Sequence, residues 1–296
     1  MVTRRDYTAE RIEAARSVLI ELVHLLGEYK DDIALIGGWV PEVLLPRSSG
    51  SHVGSMDVGI ALNHQKIQEE GYKRIEDLLR HRGYRKGEHP YIFFRTVKVG
   101  ATETDVEVNL LAGEYEGTSK SHRHQKIQGI RARKVRGCDL VFEMPKEIKI
   151  EGRLPNGAHD TVTVRVSSIV PFFVMKGMAM DARIKEKDAW DIYYCVLNYP
   201  GGIDALAEEF RPQLHLGLVK EGLQKIAGKF SSEKDFGPRS VADFEGIDDP
   251  EEQERIQRDA YERVNALLKK LGYRHESSFL GPLSKPPDSH QAKRHW

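Results

Sequence analysis

The sequence predicts an α+β protein in which a mixed sheet flanked by helices is followed by a mostly helical second domain. Short apolar runs bounded by glycine or polar turns recur through the first half of the chain, which is typical of strands between helices. Two stretches in which apolar and polar residues alternate predict hairpins. After Ser167 the apolar residues recur at three- and four-residue steps, as they do in helices.

Composition narrows the class of protein. The 296 residues suffice for two ordinary domains, and 45 lysines and arginines balance 45 aspartates and glutamates. The whole molecule therefore has no net attraction for nucleic acid or membranes, and such binding needs a local patch. Cys138 and Cys195 lie far apart in apolar surroundings, which favours reduced thiols and a cytoplasmic location. No membrane partner is expected, because the longest apolar run ends at Lys176, well short of the roughly 20 residues that span a bilayer.

The elements follow from periodicity, taken in chain order. The first domain, residues 1–166, is predicted to contain a helix over 8–29, a strand over 33–36, a helical segment over 39–45, a strand over 55–62, a helix over 65–82 and hairpins over 91–111 and 149–166. The second domain, residues 167–279, is predicted to contain helices over 171–199, 204–210, 218–230 and 250–271. The proline-rich tail, residues 280–296, is predicted to be disordered.

Two features of the first domain carry groups that could bind a ligand. Gly37 and Gly38 close a predicted strand and open a helix, so backbone amides there can approach a phosphate. The same turn also occurs in α/β proteins without a ligand. Asp105, Glu107 and Asn109 alternate with apolar residues, so their side chains leave the strand on one face, which could equally be a solvated one.

A charged face is predicted in the second domain. Lys176, Arg183, Lys187 and Asp191 are spaced by seven, four and four residues, which places them on one side of the predicted helix with Asp188 beside them. A cationic stripe of this kind suits a triphosphate. A helix face that merely meets solvent has the same pattern, so the spacing alone leaves both interpretations open.

A family resemblance rests on these segments together. Gly37-Gly38, then residues 54–59 and then residues 106–111 resemble the three signature segments of polymerase β-type nucleotidyltransferases. Residues 176–194 resemble the helical-domain segment of AbiEii/AbiGii-type toxins. The resemblance implies an N-terminal nucleotidyltransferase domain and an enzyme that uses Mg²⁺ to transfer a nucleotide from an NTP to an RNA such as tRNA, or to a protein. It also implies a toxin-antitoxin system with an antitoxin protein as partner.

The same resemblance implies roles for particular residues. Catalytic roles fall to Asp57, Lys176 and Asp191, nucleotide binding to Gly37, Gly38, Ser55, Arg183 and Lys187, and metal binding to Asp57 with Asp105 or Glu107. Acids two residues apart on a strand face the same way and can reach one metal cluster. The second acid of that pair falls at Gly59, however, and the third acid at Asn109. These two positions favour an alternative, a catalytically degenerate member that binds nucleotide or RNA without turnover.

A basic segment lies between the two halves of the family likeness. From Lys120 to Arg136 the chain contains no acid, so this stretch could hold an RNA backbone with an affinity that falls as salt rises. A charged loop beside an edge strand would have the same composition.

Overall fold

The computed structural model describes residues 2–45, 51–113 and 132–273. The predicted tail and the basic residues from Lys120 to Arg131 lie outside this part of the chain. The strands are β1 (Ile33–Ile36), β2 (Asp57–Leu62), β3 (Arg85–Lys86), β4 (Ile92–Val99), β5 (Thr102–Ala112), β6 (Arg133–Lys134), β7 (Pro145–Arg153) and β8 (His159–Ser167). The helices are α1 (Ala9–Leu25), α2 (Val40–Leu44), α3 (Glu69–His81), α4 (Leu140–Glu143), α5 (Ile169–Ala182), α6 (Glu186–Asn198), α7 (Gly202–Phe210), α8 (Gly217–Lys229), α9 (Phe236–Glu245) and α10 (Pro250–Lys270).

The fold is mixed α/β, with a mixed sheet flanked by helices and a helical C-terminal region, as the sequence predicts. The strands lie in the order β3-β4-β5-β2-β1-β8-β7, and β6 pairs with β5. β2 runs antiparallel to β1 and parallel to β5, while β1 runs parallel to β8. No helix in the described residues is both long and apolar enough to cross a membrane.

The two faces of the sheet have different partners. Alternate residues of β2 and β5, among them Val58, Ile60 and Val108, belong to the large buried cluster that also contains the apolar stripe of α1. The other face of β1 and β2 packs against α4 and Met175 of α5. Because side chains alternate between faces, Asp57 and Glu107 project on the side of α5, away from α1.

The single helix predicted over residues 171–199 is wrong. The chain forms α5 and α6 instead, and Arg183 between them is extended, with φ −152° and ψ 162°. The break turns α6 back so that the Lys176 ammonium of α5 contacts Asp188 and Asp191 of α6. A continuous helix would hold these groups 12 and 15 residues apart along its axis, about 18 to 22 Å, because each residue adds about 1.5 Å.

Helix α9 has no counterpart among the predicted elements. Gly237 and Pro238 fall in its first turn, where they resemble a helix-breaking pair. The first turn is the one place in a helix where proline costs little, since the amide that it lacks has no intrahelical partner there.

Helices α5 and α8 approach each other closely through glycines. A Cβ atom on Gly177 would lie 2.4 Å from the Gly222 carbonyl oxygen, and one on Gly222 would lie 2.8 Å from the Cα of Val174. Both contacts are with backbone, so neither can be relieved by a side-chain rotation. This close contact between α5 and α8 fixes the position of α5 at Gly177, the residue that follows Lys176.

We predict that Gly177→Ala destabilises the protein by about 1 to 3 kcal/mol, because the added methyl group forces the two helices apart. The measurement is the free energy of unfolding from urea titrations followed by circular dichroism.

Gly228→Ala is the matched control, since Gly228 is an α8 residue and a Cβ atom added to it would have nothing within 4 Å. This control is expected to gain up to about 1 kcal/mol from helix propensity alone. Equal changes in both variants would contradict the close-packing explanation.

Candidate functional site

A cleft of about 680 Å³ opens between the sheet and the helices α5, α6 and α8. Its walls contain residues from three parts of the chain that sequence reasoning had singled out separately. The site residues predicted from the sequence that line it are Gly37, Gly38, Ser55, Asp57, Glu107, Lys176, Arg183, Lys187 and Asp191. The cleft is therefore the candidate binding or active site.

Asp57 and Glu107 form the acidic part of the sheet wall. They are paired in the parallel register of β2 and β5, on strands roughly 4.8 Å apart, so both carboxylates leave the sheet side by side. The Ser55 hydroxyl donates a hydrogen bond to Asp57 Oδ1. Burial alone would raise the pKa of Asp57, but the charge of Lys185, the Ser55 hydrogen bond and the charges of Lys187 and Lys176 bring it below its usual value. Asp57 is thus a carboxylate at neutral pH.

Asp105 does not belong to this wall. It precedes the part of β5 that pairs with β2, and it faces β4 and β3 instead. Its carboxylate accepts hydrogen bonds from Arg85 at 2.7 Å and from Thr96 at 2.5 Å. Of the two acids that sequence reasoning left open as a partner for Asp57, the structure brings Glu107 into the cleft and leaves Asp105 outside it.

The two glycines of the turn after β1 serve different purposes. Gly37 has φ +79°, a left-handed conformation that side chains disfavour. Gly38 supplies space, because a Cβ atom there would lie 2.7 Å from Ser55 Oγ and 3.1 Å from Lys187 Nζ. The Trp39 indole donates to the Asp57 carbonyl oxygen at 2.9 Å, which ties the turn to the start of β2. The missing side chain of Gly38 thus lets an ammonium and a hydroxyl lie against the turn.

The helical wall is a buried network of charges. Lys176 Nζ lies 2.6 Å from both Asp188 Oδ1 and Asp191 Oδ2, and Lys187 Nζ lies 2.7 Å from Asp191 Oδ1. All four residues are buried. Asp188 also accepts from the Arg183 guanidinium at 2.9 and 3.2 Å. Three cations against two carboxylates leave this wall with a surplus of positive charge.

His52 belongs to the same network, and sequence reasoning missed it. Its Nε2 lies 2.9 Å from Asp191 Oδ1, although the two residues are 139 positions apart. Nothing in the local sequence marks His52, because it lies in an irregular segment and its partner is on a distant helix. Lys185, which follows Arg183 between α5 and α6, is a second cleft residue without an earlier prediction.

The part of the cleft formed by β6 and the residues after it is also basic. Arg133, Lys134 and Arg136 line it, and they are the described end of the predicted RNA-binding segment. Arg136 forms a two-pronged ion pair with Glu221 of α8, at 2.7 to 3.0 Å. Arg133 is exposed, so its charge faces solvent at the cleft entrance.

The acids of the cleft fit one magnesium ion better than two. Among the described residues, no group of three or more His, Cys, Asp and Glu side chains is arranged to hold a metal. Mg²⁺ often binds through one or two protein carboxylates together with substrate phosphates. Asp57 and Glu107 could supply the two carboxylates. A further acid at Gly59 would crowd its neighbours, since a Cβ there would lie 3.2 Å from the Ile36 carbonyl oxygen. Asn109 contributes an amide, which donates to Glu107 at 2.7 Å.

We predict that Asp191→Asn lowers the free energy of unfolding by about 3 to 5 kcal/mol, because it leaves Lys176 and Lys187 buried with too little negative charge. Urea unfolding measures the change. The control is Asp204→Asn, which breaks an exposed ion pair with Lys270 and should cost about 1 kcal/mol or less.

The difference between the wild-type protein and Asp191→Asn should also depend on pH. Burial would raise the pKa of Asp191, but Lys176 and Lys187 hold it well below its usual value. A carboxyl with a lowered pKa stabilises the fold above the unfolded-state value of about 3.9 and loses this effect as pH falls through the folded-state pKa. The difference should be constant from about pH 5 to 7 and shrink below about pH 4. A difference that grows on acidification would contradict the ion-pair explanation.

Comparison with protein-family models, with curated proteins and with solved structures finds no match to this chain. A function is therefore inferred from the geometry and charge of the cleft.

Proposed function

We propose that this chain is a nucleotidyltransferase-like protein that binds an NTP in the cleft and transfers its nucleotide, with Mg²⁺, to an RNA such as tRNA or to a protein. The observation that supports the proposal is the meeting of three features in a single cleft. They are the glycine turn at Gly37 and Gly38, the paired acids Asp57 and Glu107, and the cationic wall that contains Lys176. The three features come from distant parts of the chain, and the fold brings them together in the cleft.

The residues around the glycine turn suit a triphosphate. The turn gives backbone amides access to phosphate oxygens, and Lys187 Nζ already lies beside it. Lys176 and Arg183 are oriented by Asp188, so an incoming phosphate meets cations that need little rearrangement. In nucleotidyl transfer the acceptor oxygen bonds to the α-phosphorus, its proton passes to water, and the bond to pyrophosphate breaks, so these cations would stabilise the charge that moves onto the leaving group.

Asp57 and Glu107 are the groups that would hold Mg²⁺. When bound, the ion supplies Lewis-acid polarisation of phosphate oxygens. Asp57 is charged at neutral pH, and its Ser55 hydrogen bond fixes the direction of the carboxylate. The AbiEii/AbiGii resemblance extends the proposal to a toxin that a cognate antitoxin protein controls.

A second candidate function is nucleotide or RNA binding without turnover. Gly59 and Asn109 favour it, because they leave the sheet wall with two carboxylates. The loss of several kcal/mol of Lewis-acid stabilisation would slow transfer about a thousandfold while leaving cationic binding intact.

The labelled NTPs are offered one at a time, with Mg²⁺ and either total tRNA or the protein itself as acceptor. We predict label transfer from at least one of them. Asp57→Asn should reduce transfer about a thousandfold, because the isosteric amide cannot balance the metal charge. Nucleotide affinity measured by calorimetry with and without Mg²⁺ should lose its metal dependence in the same variant.

Glu107→Gln and Asp105→Asn provide a matched pair on one strand. Glu107→Gln should resemble Asp57→Asn, whereas Asp105→Asn should leave binding unchanged because Asp105 lies outside the cleft. NTP binding without transfer to any acceptor would favour the second candidate. Absence of NTP binding at low salt would contradict nucleotide transfer and nucleotide binding alike, and would leave RNA binding as the remaining form of the second candidate.

For RNA binding, we predict that the double variant Arg133→Gln and Lys134→Gln weakens affinity and lowers the slope of log affinity against log salt by about one per lost phosphate contact. Filter binding of total tRNA at several salt concentrations measures both. The control double variant, Arg255→Gln and Lys270→Gln on α10, removes two exposed charges away from the cleft and should change neither quantity.

A further inference from the structure

His52 connects the two walls of the cleft physically. It lies in the segment that leads into Ser55 and Asp57, and its side chain is fully buried against α6. The imidazole centroid lies 5.1 Å from the Trp190 ring and 4.8 Å from the Tyr194 ring. The segment before β2 is thus docked on the helix that carries Lys187 and Asp191.

The hydrogen bonds of His52 define its tautomer. The Gly54 amide donates to Nδ1 at 3.0 Å, so Nδ1 is an acceptor and Nε2 carries the proton. Nε2 then donates to Asp191 Oδ1 at 2.9 Å. Burial and the charges of Lys187 and Lys176 lower the pKa of His52 to about 4, against the opposing effect of Asp191. The ring is therefore neutral at physiological pH and keeps both hydrogen bonds.

The hydrogen bond to Asp191 has consequences for the lysines. Asp191 Oδ1 accepts from both His52 and Lys187, and Oδ2 accepts from Lys176. His52 is the neutral member of this set, so it restricts rotation of the carboxylate without changing its charge. Asp191 thus connects His52 to both ammonium groups.

We propose that His52 is a positioning residue that sets the spacing between Asp57 and the Lys176 and Lys187 pair. Gly54 and the backbone that follows it carry the effect to Asp57, and Asp191 carries it to the lysines. The inference rests on the proposed function, in that the spacing matters for an NTP that contacts both walls.

The first test uses two substitutions of different polarity. His52→Phe keeps a ring against Trp190 and Tyr194 but removes both hydrogen bonds, whereas His52→Gln keeps a donor near the Nε2 position. His52→Phe should weaken binding of Mg²⁺ and a non-hydrolysable NTP about 10- to 100-fold, by analogy with the loss of outer hydrogen-bond partners around metal ligands. His52→Gln should restore most of the affinity.

Three further measurements separate positioning from general stability. Asn265→Ala removes a buried hydrogen bond to the Phe230 carbonyl, and neither residue lines the cleft. This variant should be less stable than the wild-type protein but should bind with the same affinity when folded. The double variant His52→Phe and Asp191→Asn should lose less affinity than the sum of the two single losses, because Asp191 lies on the route by which His52 acts on the lysines. Additive losses, or an affinity in His52→Phe equal to that of the wild-type protein, would overturn the proposal.

The last measurement needs no nucleotide. Lys176 and Lys187 are almost fully buried, so both should react slowly with acetic anhydride, and His52→Phe should increase their acetylation relative to exposed Lys220 in quantitative mass spectrometry. His52→Gln should not. Increased acetylation without NTP binding in any variant would support positioning by His52 and contradict the proposed function. Unchanged acetylation in His52→Phe would overturn the positioning role.

Discussion

The buried contact between Lys176 and the two carboxylates of α6 is the interaction on which the rest of the site depends. An ammonium removed from water costs several kcal/mol, and only close, well-oriented carboxylates can offset this cost. Lys176 has two such partners at 2.6 Å each. The contact requires α6 to fold back on α5, and this in turn requires the extended backbone at Arg183. Ion pairing as well as apolar packing therefore shapes the helical wall.

The opposite wall owes its chemistry to strand register. Asp57 pairs with Glu107 and Gly59 with Asn109, so the acids lie at one level of the sheet and the neutral residues at the next. A shift of one residue would turn every one of these side chains to the α1 face. The apolar residues that alternate with them are buried in that face, which strongly disfavours such a shift. Core packing against α1 thus holds the two carboxylates in the cleft.

Much of this arrangement could be predicted from the sequence, since it follows from local pattern. Alternation predicted the shared face of Glu107 and Asn109, and the glycine pair predicted the turn after β1. The break at Arg183 could not be predicted, because helical periodicity continues through it and the contacts that it permits join residues 12 and 15 positions apart. The same holds for His52, whose partner lies 139 positions away. Contacts between residues distant in sequence leave no periodic trace in it.

The charge balance of the cleft has a final consequence for any anion that enters it. Lys176 and Lys187 are already paired with carboxylates, so a phosphate must share them with Asp188 and Asp191. Such a phosphate gains less from these lysines than it would from free ammonium groups, but it finds them held in place and stripped of water. Arg183 is different, because 44% of its side chain is exposed and its guanidinium has donors to spare. If the cleft binds an anion as proposed, first contact would fall to the exposed Arg183, and the buried lysines would set the final geometry.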